Sequence, residues 1–466
     1  MNICILGTGA SGWIACTMLK NLKFIKKITI IGSSKIPSIG VGESTTKNFV
    51  SSVLSEVELK DFVRESDATV KYGVYYKNWS KRDFINYFSH VSEDYYKDEL
   101  TLSNKDLNTH IHDLRGNKLW NFIQKNQVSL DSDIHECSWH FDAGKFIKFL
   151  TKINLKHDKV TFVEDTIIDC KLVGDKIEYI IGENNQKYTA DYFINCCGDN
   201  QLNEKIFKEE YISLSPYLLT NKALVYPLKY TNKRYEFHPY TVSKTMKHGW
   251  RWITPTQSRI GTGYVFSDNH ISVDEATNEF LEDIGDKTIT PFEVDFRPRW
   301  NKKTFKINSC TIGMSNGFLE PLDAPGLSLS IEAIRILISL LKVKSKNTAH
   351  LPTLEILNSN LFFYSKVWCS FILHQYKTSW RNDTQFWIDH KNIKCDFYDK
   401  ILELEMSGSK NLLRTIPVHF DRPPMLFTTA AKDIQWESKT SQKPVSIDRP
   451  DTQTMHHLDY IHSFYD

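Results

Sequence analysis

Two tryptophans separated by one arginine, in Gly249-Trp250-Arg251-Trp252-Ile253-Thr254-Pro255, are the side chains best suited to shaping a reaction space. On an extended segment, period-two spacing sends both indoles to one face. Glycine before the pair allows a tight entry and Pro255 after it ends the strand, so two of the bulkiest side chains form a wall between two compartments. The competing reading of such a pair is an ordinary aromatic core strand. A second constellation is suited to holding phosphate. Gly7-Thr8-Gly9-Ala10-Ser11-Gly12 matches G-x-G-x-x-G between an apolar strand, Asn2 to Leu6, and a helical pattern, Trp13 to Leu22. Gly7 makes the turn, Gly9 admits a pyrophosphate to the backbone and Gly12 lets helix and strand pack closely. Ala10 and Ser11 then open the helix whose N-terminus faces the phosphate charge.

The elements that must position these residues follow from the same pattern. A strand at Ile28 to Ile31 completes the opening of a Rossmann-type βαβ unit. Its end, Ile31-Gly32-Ser33-Ser34, lacks the acidic residue expected to hold a ribose, which leaves Ser33, Ser34, Lys35 or other groups for that task. Next comes a loop, Ile36 to Thr45, whose glycines and small residues suit a segment lying against a flat cofactor. Further strands are expected at Val70 to Lys77, Val160 to Val163, Lys176 to Ile181, Asp191 to Cys196, Arg259 to Phe266 and Thr304 to Cys310. Helices are expected at Asp142 to Ile153, Asp274 to Ile284 and Leu327 to Leu341. The fold class is α/β, mixed with α+β features. Residues 1–345 are expected to form the cofactor-binding module with interleaved substrate-binding segments, and 346–466 a helical and irregular region that covers the substrate. The polar stretch Lys432 to Thr454 reads as surface chain.

With 466 residues the chain can enclose a cofactor. Its 58 Lys and Arg nearly balance 56 Asp and Glu, which argues against nucleic acid and anionic membranes as partners and for small molecules. Nine cysteines without CxxC spacing suit reduced thiols in a cytoplasm. No signal peptide and no membrane span is read, because Glu332 and Arg335 interrupt the longest apolar stretch at helical spacing. His110, His112, His456 and His457 lack a third ligand at metal spacing and read as surface or capping residues, so no metal is expected. Cys196-Cys197-Gly198 reads as a structural turn, and Arg381 with Asp383 as a structural ion pair or loop cap.

These motifs together resemble the tryptophan-halogenase-like flavin-dependent halogenases. The resemblance covers roughly residues 1 to 390. It rests on the glycine turn followed by Trp13, on Ile39-Gly40-Val41-Gly42-Glu43, on Lys71 ahead of Asn78-Trp79 and on Trp139-His140-Phe141-Asp142-Ala143. The double-Trp motif, Gly263-Tyr264-Val265-Phe266-Ser267, Phe318-Leu319-Glu320-Pro321-Leu322, and Asp383-Thr384 with Phe386-Trp387 complete it. It implies FAD, bound as FADH2 in a Rossmann-like module of the p-hydroxybenzoate-hydroxylase type, a separate flavin reductase, a halide ion and a small aromatic substrate; assembly as a homo-oligomer stays open. Cofactor contacts would come from Gly7, Gly9, Ala10, Ser11, Gly12, Ser33, Ile39, Gly40, Val41, Gly42 and Glu43. Reduced flavin and O2 would turn halide into hypohalous acid. Trp250, Trp252 and Pro255 would wall the flavin from the substrate, and the acid would pass to Lys71, eight residues before Trp79. Alternation along Val70 to Lys77 would put Lys71, Gly73, Tyr75 and Lys77 on one face, Lys77 being the solvated neighbour. Asp323 would take the proton from the arenium intermediate of the substrate or orient the lysine's product.

Departures from the family pattern carry their own expectations. Asp323-Ala324-Pro325-Gly326 stands where the family has Glu-Ser-Thr-Gly, whose last two backbone N–H groups bind halide. Proline has no N–H, so Gly326 is left as donor, and bromide and iodide should be favoured over chloride. The carboxylate is also one methylene shorter, so the substrate sits closer to Asp323 or a water bridges the gap. Asn86, where a histidine often stands, and Phe88 would touch the substrate, with an aromatic from Phe362-Phe363-Tyr364. The C-terminal segment shows no match to the part that grips free tryptophan, which points to an electron-rich phenol, indole or heteroaromatic. The alternatives are an FAD-dependent aromatic monooxygenase without productive halide use, and a non-catalytic FAD-binding protein, against which Lys71 and the Trp wall argue.

Overall fold

Short, largely buried apolar runs form a parallel sheet. The computed structural model describes residues 1–36, 43–81, 83–87, 127–129, 137–346, 353–406 and 454–465. Five parallel strands stand in the order Ser309–Thr311, Tyr192–Asn195, Asn2–Leu6, Lys27–Gly32, Val160–Glu164. Such strands are covered on both faces. Ile3 and Ile5 face the large core under the helices Ala10–Lys20, Ala143–Asn154 and Pro325–Lys346, whereas Cys4 and Leu6 face a separate cluster with Ile167, Ile177 and Ile180 of a small antiparallel sheet. Helix Ala143–Asn154 starts where Asp142 Oδ1 accepts the Lys145 N–H, and helix Val273–Ile284 starts at a capping box formed by Ser272 and Glu275.

A second, seven-stranded sheet carries the tryptophan pair. Its order is Phe292–Asp295, Lys222–Leu228, Ile260–Phe266, Gly249–Pro255, Thr241–Met246, Gly73–Lys77, Phe84–Tyr87. The glycines expected beside the wall are sterically required. A Cβ on Gly249 would lie 1.8 Å from the Val265 carbonyl oxygen, and one on Gly263 would lie 2.1 Å from the Trp252 ring that crosses over it.

The single strand expected over Val70 to Lys77 is in fact two. Thr69–Lys71 pairs with Ser138–Phe141, which also pairs with Glu43–Ser44, whereas Gly73–Lys77 belongs to the large sheet. Tyr72 leaves both ladders and donates its N–H to Pro239 O instead. The alternation is therefore reset at residue 72. Lys71 is buried and Lys77 exposed, and Tyr76, on the opposite parity from Lys71, approaches the same carboxylate as the lysine.

Strand Ser309–Thr311 is also shorter than expected, because Lys306 N–H turns back onto Ser309 O and Phe305 bridges Cys310. Helices Leu354–Lys377, Gln385–Asn392 and Asp396–Met406 follow. The last described residues are ordered rather than irregular: Thr454–His456 pairs with Gln127–Ser129 and His457–His462 forms a helix. His456 caps that helix as expected, but His457 is buried rather than on the surface, because its Nε2 accepts the Val70 N–H while Nδ1 faces Phe237 O. One hydrophobic core runs from Ile3 to Ile461.

Candidate active site

The glycine turn has the shape its sequence demands. Gly7 adopts φ +101°, and a Cβ there would lie 2.4 Å from Cys196 O; a Cβ on Gly12 would lie 2.1 Å from Gly7 O. A Cβ on Gly9 would meet nothing within 4 Å, so the ground in front of the helix N-terminus is open to a pyrophosphate. Ser11 packs on Gly313, which brings the segment Gly313–Ser315 against the same turn. Ser33 Oγ accepts the Lys35 N–H. Ser34 donates its N–H and Oγ–H to Glu164, and Lys35 pairs with Glu183. A carboxylate of the neighbouring strand, Glu164, thus stands at the end of the second strand, which has none of its own. These residues fit a bound dinucleotide such as FAD. Ile39, Gly40, Val41 and Gly42 lie outside the described residues, and of Glu43 only the backbone, in a short strand, is described.

Beyond that strand the chain reaches the lysine. Lys71 is fully buried and donates from Nζ to Thr45 O at 3.0 Å. Burial pushes its ammonium well below the usual lysine range, and the nearby Asp323 carboxylate opposes this. Asp323 is itself raised by burial, against hydrogen bonding from Tyr76 and the charge of Lys71. The Tyr76 hydroxyl donates to Asp323 Oδ2 at 2.6 Å, whereas Oδ1 has no partner among the described residues. Asn86 stands beside both groups, its amide favouring their ionised forms, and its Nδ2 is likewise without a partner in normal geometry. Cross-strand register puts Tyr76 opposite Phe84 and Val74 opposite Asn86, so Tyr76, Phe84 and Asn86 share a face, with the Tyr76 and Phe84 rings stacked at 4.8 Å. Phe88 lies outside the described residues.

Asp323 and Ala324 both hold left-handed backbone, φ 61° and 60°, a conformation that side chains disfavour and that clusters at functional positions. Pro325 is the first residue of the helix Pro325–Lys346, where its fixed φ suits the turn. Gly326 follows in the first turn. It lines a small cavity with Trp300, Gly313, Gly317 and Ser330, and the buried Trp300 Nε1 has no partner among the described residues. An anion suits a helix N-terminus and an unpaired donor, so the residues present fit a halide.

The two tryptophans are buried side by side with ring centroids 6.3 Å apart. Trp250 Nε1 donates to Glu320 Oε1 at 3.1 Å, and the same carboxyl receives Thr220 Oγ1 at 2.6 Å and the Tyr376 hydroxyl at 2.9 Å. Burial pushes Glu320 up to about 7, opposed by these donors. Pro255 O accepts from Thr69 Oγ1 at 2.7 Å, tying the end of the wall to the lysine strand. Since that hydroxyl gives its proton to Pro255, it must accept from His140 Nδ1, leaving His140 Nε2 to accept from Thr241. His140 is neutral, because burial and the nearby Lys71 hold it well below the usual histidine range.

Residues 2–411 match the family model described as tryptophan halogenase. The chain belongs to the tryptophan halogenase family. It is 27% identical over 424 residues to tryptophan 7-halogenase RebH of Lentzea aerocolonigenes, covering 84% of this chain and 79% of that protein. Identity and coverage are the same for tryptophan 6-halogenase ThaL of Streptomyces albogriseolus. Solved structures share the fold: VirX1 in its apo form has a TM-score of 0.78 at 23% identity, with 93% of this chain and 89% of that one covered. The tryptophan 6-halogenase SttH of Streptomyces toxytricini gives 0.76 at 21% identity, with 92% and 89% covered. This halogenase is therefore a flavin-dependent enzyme that uses FADH2, O2 and halide on an aromatic substrate, with reduced flavin from a separate reductase.

Of the residues singled out in the sequence, the halogenase fold brings Lys71, Asp323 and Asn86 together and sets Trp250, Trp252 and Pro255 in one strand. Gly326 stands at the helix that follows Asp323. Arg381 and Asp383 form a two-pronged ion pair. Among the described residues no His, Cys, Asp or Glu cluster could hold a metal, and no helix is long and apolar enough to cross a membrane. The sequence reading did not find Tyr76 or Glu164, nor the buried hydrogen-bonding roles of His140 and His457. Their roles depend on partners 71 to 387 residues away, or on the reset of alternation at Tyr72.

Proposed function

We propose that this halogenase favours iodide and bromide over chloride and acts on an electron-rich phenol, indole or heteroaromatic. The observation that carries the reading is Pro325, two residues after Asp323, at the first position of the helix whose N-terminus would face the halide. A loop that lacks one donor replaces less of the water lost by the anion, and chloride, the most strongly hydrated of the three, suffers most. Stacked Tyr76 and Phe84, with the Asn86 amide, give the surroundings of Asp323 an aromatic, mainly uncharged character, which suits a neutral ring better than a zwitterionic amino acid.

Bound FADH2, with O2, supplies the oxidation of halide to hypohalous acid. The chain's own residues do the rest. Trp250 and Trp252 keep the aromatic substrate from the flavin. Lys71, held by Thr45 O, hydrogen-bonds the hypohalous acid and gives a proton to its oxygen, which leaves as water while the halogen bonds to the ring. Asp323 takes the ring proton, and transfer of that proton to the Lys71 amine restores the pair. Opposite shifts of the two groups bring their proton affinities close, which makes that return easy.

The test is a competition in equal chloride, bromide and iodide with FAD, NADH, a flavin reductase and a panel of phenols and indoles, read by product mass. Iodinated and brominated products should dominate, Pro325→Thr should raise the chlorinated share, and Lys71→Ala should lower turnover by about 10²-fold or more. Dominance of the chlorinated product would overturn the halide preference. Oxygenated products independent of halide would favour the monooxygenase reading, which the missing donor at Pro325 makes the natural second choice.

A further inference from the structure

Tyr76 is the one group whose hydroxyl the reaction above leaves without a task, although it sits at the proton acceptor. It is fully buried, its ring is stacked on Phe84 and edge-on to Trp79, and its O–H is directed at Asp323 Oδ2. The ring position is thus fixed by packing independent of the hydroxyl. Asp323 is held on its other side by a backbone in left-handed conformation at two successive residues, so the carboxyl is located at both ends. Its second oxygen, Oδ1, remains without a partner among the described residues. A buried carboxylate oxygen left unpaired is unfavourable unless something arrives to use it.

We propose that Tyr76 is a positioning residue that immobilises Asp323 through Oδ2 and so presents Oδ1 to the proton of the halogenated ring carbon. In the step it serves, the C–H bond breaks, its electron pair returns to the ring and the proton passes to Oδ1. The tyrosine neither gives nor gains a proton overall; it holds a carboxylate that, one methylene shorter than glutamate, has less freedom to find its own orientation. The inference rests on the reading of Asp323 as proton acceptor.

The test uses full-length enzyme loaded with FAD, with Tyr76→Phe and Asp323→Asn made in parallel and ring-perdeuterated phenol and indole as substrates. Tyr76→Phe keeps the ring and its stacking. It should lower kcat by roughly 10- to 100-fold with KM for the aromatic little changed. Loss of a donor that favours the carboxylate should also move the acid limb of the kcat profile to higher pH, and slower proton removal should bring out a deuterium isotope effect larger than that of the unsubstituted enzyme. Melting temperature checks that the variant is folded. Wild-type kcat, acid limb and isotope effect in Tyr76→Phe, alongside an inactive Asp323→Asn, would overturn the role of Tyr76 while leaving Asp323 in place. A loss of kcat with the acid limb and isotope effect unmoved would reduce Tyr76 to packing. An Asp323→Asn variant that turns over normally would remove the acceptor itself, and the proposal with it.

Discussion

Glu320 shows how one side chain can tie the tryptophan pair to the elements around it. Its carboxyl is buried yet receives hydrogen bonds from Thr220, Trp250 and Tyr376, so it joins the tryptophan strand, the loop ahead of strand Lys222–Leu228 and a helix. Its folded pKa, about 7, lies above the ordinary value of 4.5, so the native state binds the proton more tightly than the unfolded chain. The sign follows: this contribution is fully present below pH 4.5 and is lost as pH rises to about 7. By linkage it amounts to about 3 kcal/mol across that window. Melting temperatures recorded between pH 4.5 and 8 should therefore decline more steeply for the natural protein than for Glu320→Gln; equal slopes would refute the assignment. The motif Glu320-Pro321-Leu322 was legible in the sequence, but the reason for its acidic residue was not. That reason lies 70 residues upstream in Trp250 and 56 downstream in Tyr376.

At the scale of elements, the wall depends on a glycine in the neighbouring strand. Trp252 faces Gly263 across the ladder, and its ring fills the space where a side chain would stand. Gly263→Ala places a methyl 2.1 Å from that ring and 2.5 Å from Leu224 O, and the backbone cannot yield. We expect a loss of about 1–3 kcal/mol in urea unfolding, with hydroxylated by-product appearing as the displaced indole admits substrate. An unchanged product spectrum would show that Trp252 does not need this seat. The strand pair itself could be read from Gly249, the alternating tryptophans and Gly263. The lysine strand could not be read to the same depth. The β-forming composition of Val70 to Lys77 runs straight through Tyr72 and hides the switch of sheets there, and the Pro239 carbonyl that receives its N–H lies 167 residues away. Period-two patterning locates a strand and its faces, not the point where a chain passes from one sheet to another.

For the molecule as a whole, the parallel sheet, the glycine turn and the order of motifs were readable, since each is set by neighbours in sequence. The return of the C-terminal residues to the lysine strand was not, because it is made by a single buried histidine, His457, after a long polar stretch. The core that joins Ile3 to Ile461 also includes helices on both sides of residue 345, which was read as a boundary between regions. Calorimetry should accordingly show one unfolding transition in the FAD-loaded enzyme, and two resolved transitions would establish that the C-terminal helices melt separately. None of the nine cysteines forms a disulfide, and seven of them are buried. Burial pushes Cys4 and Cys16 up to about 12, which keeps them as thiols rather than reactive thiolates. A protein that manufactures an oxidant of sulfur thus carries most of its thiols under cover, which leaves partly exposed residues such as Cys170 as the sulfur that escaping oxidant would reach first.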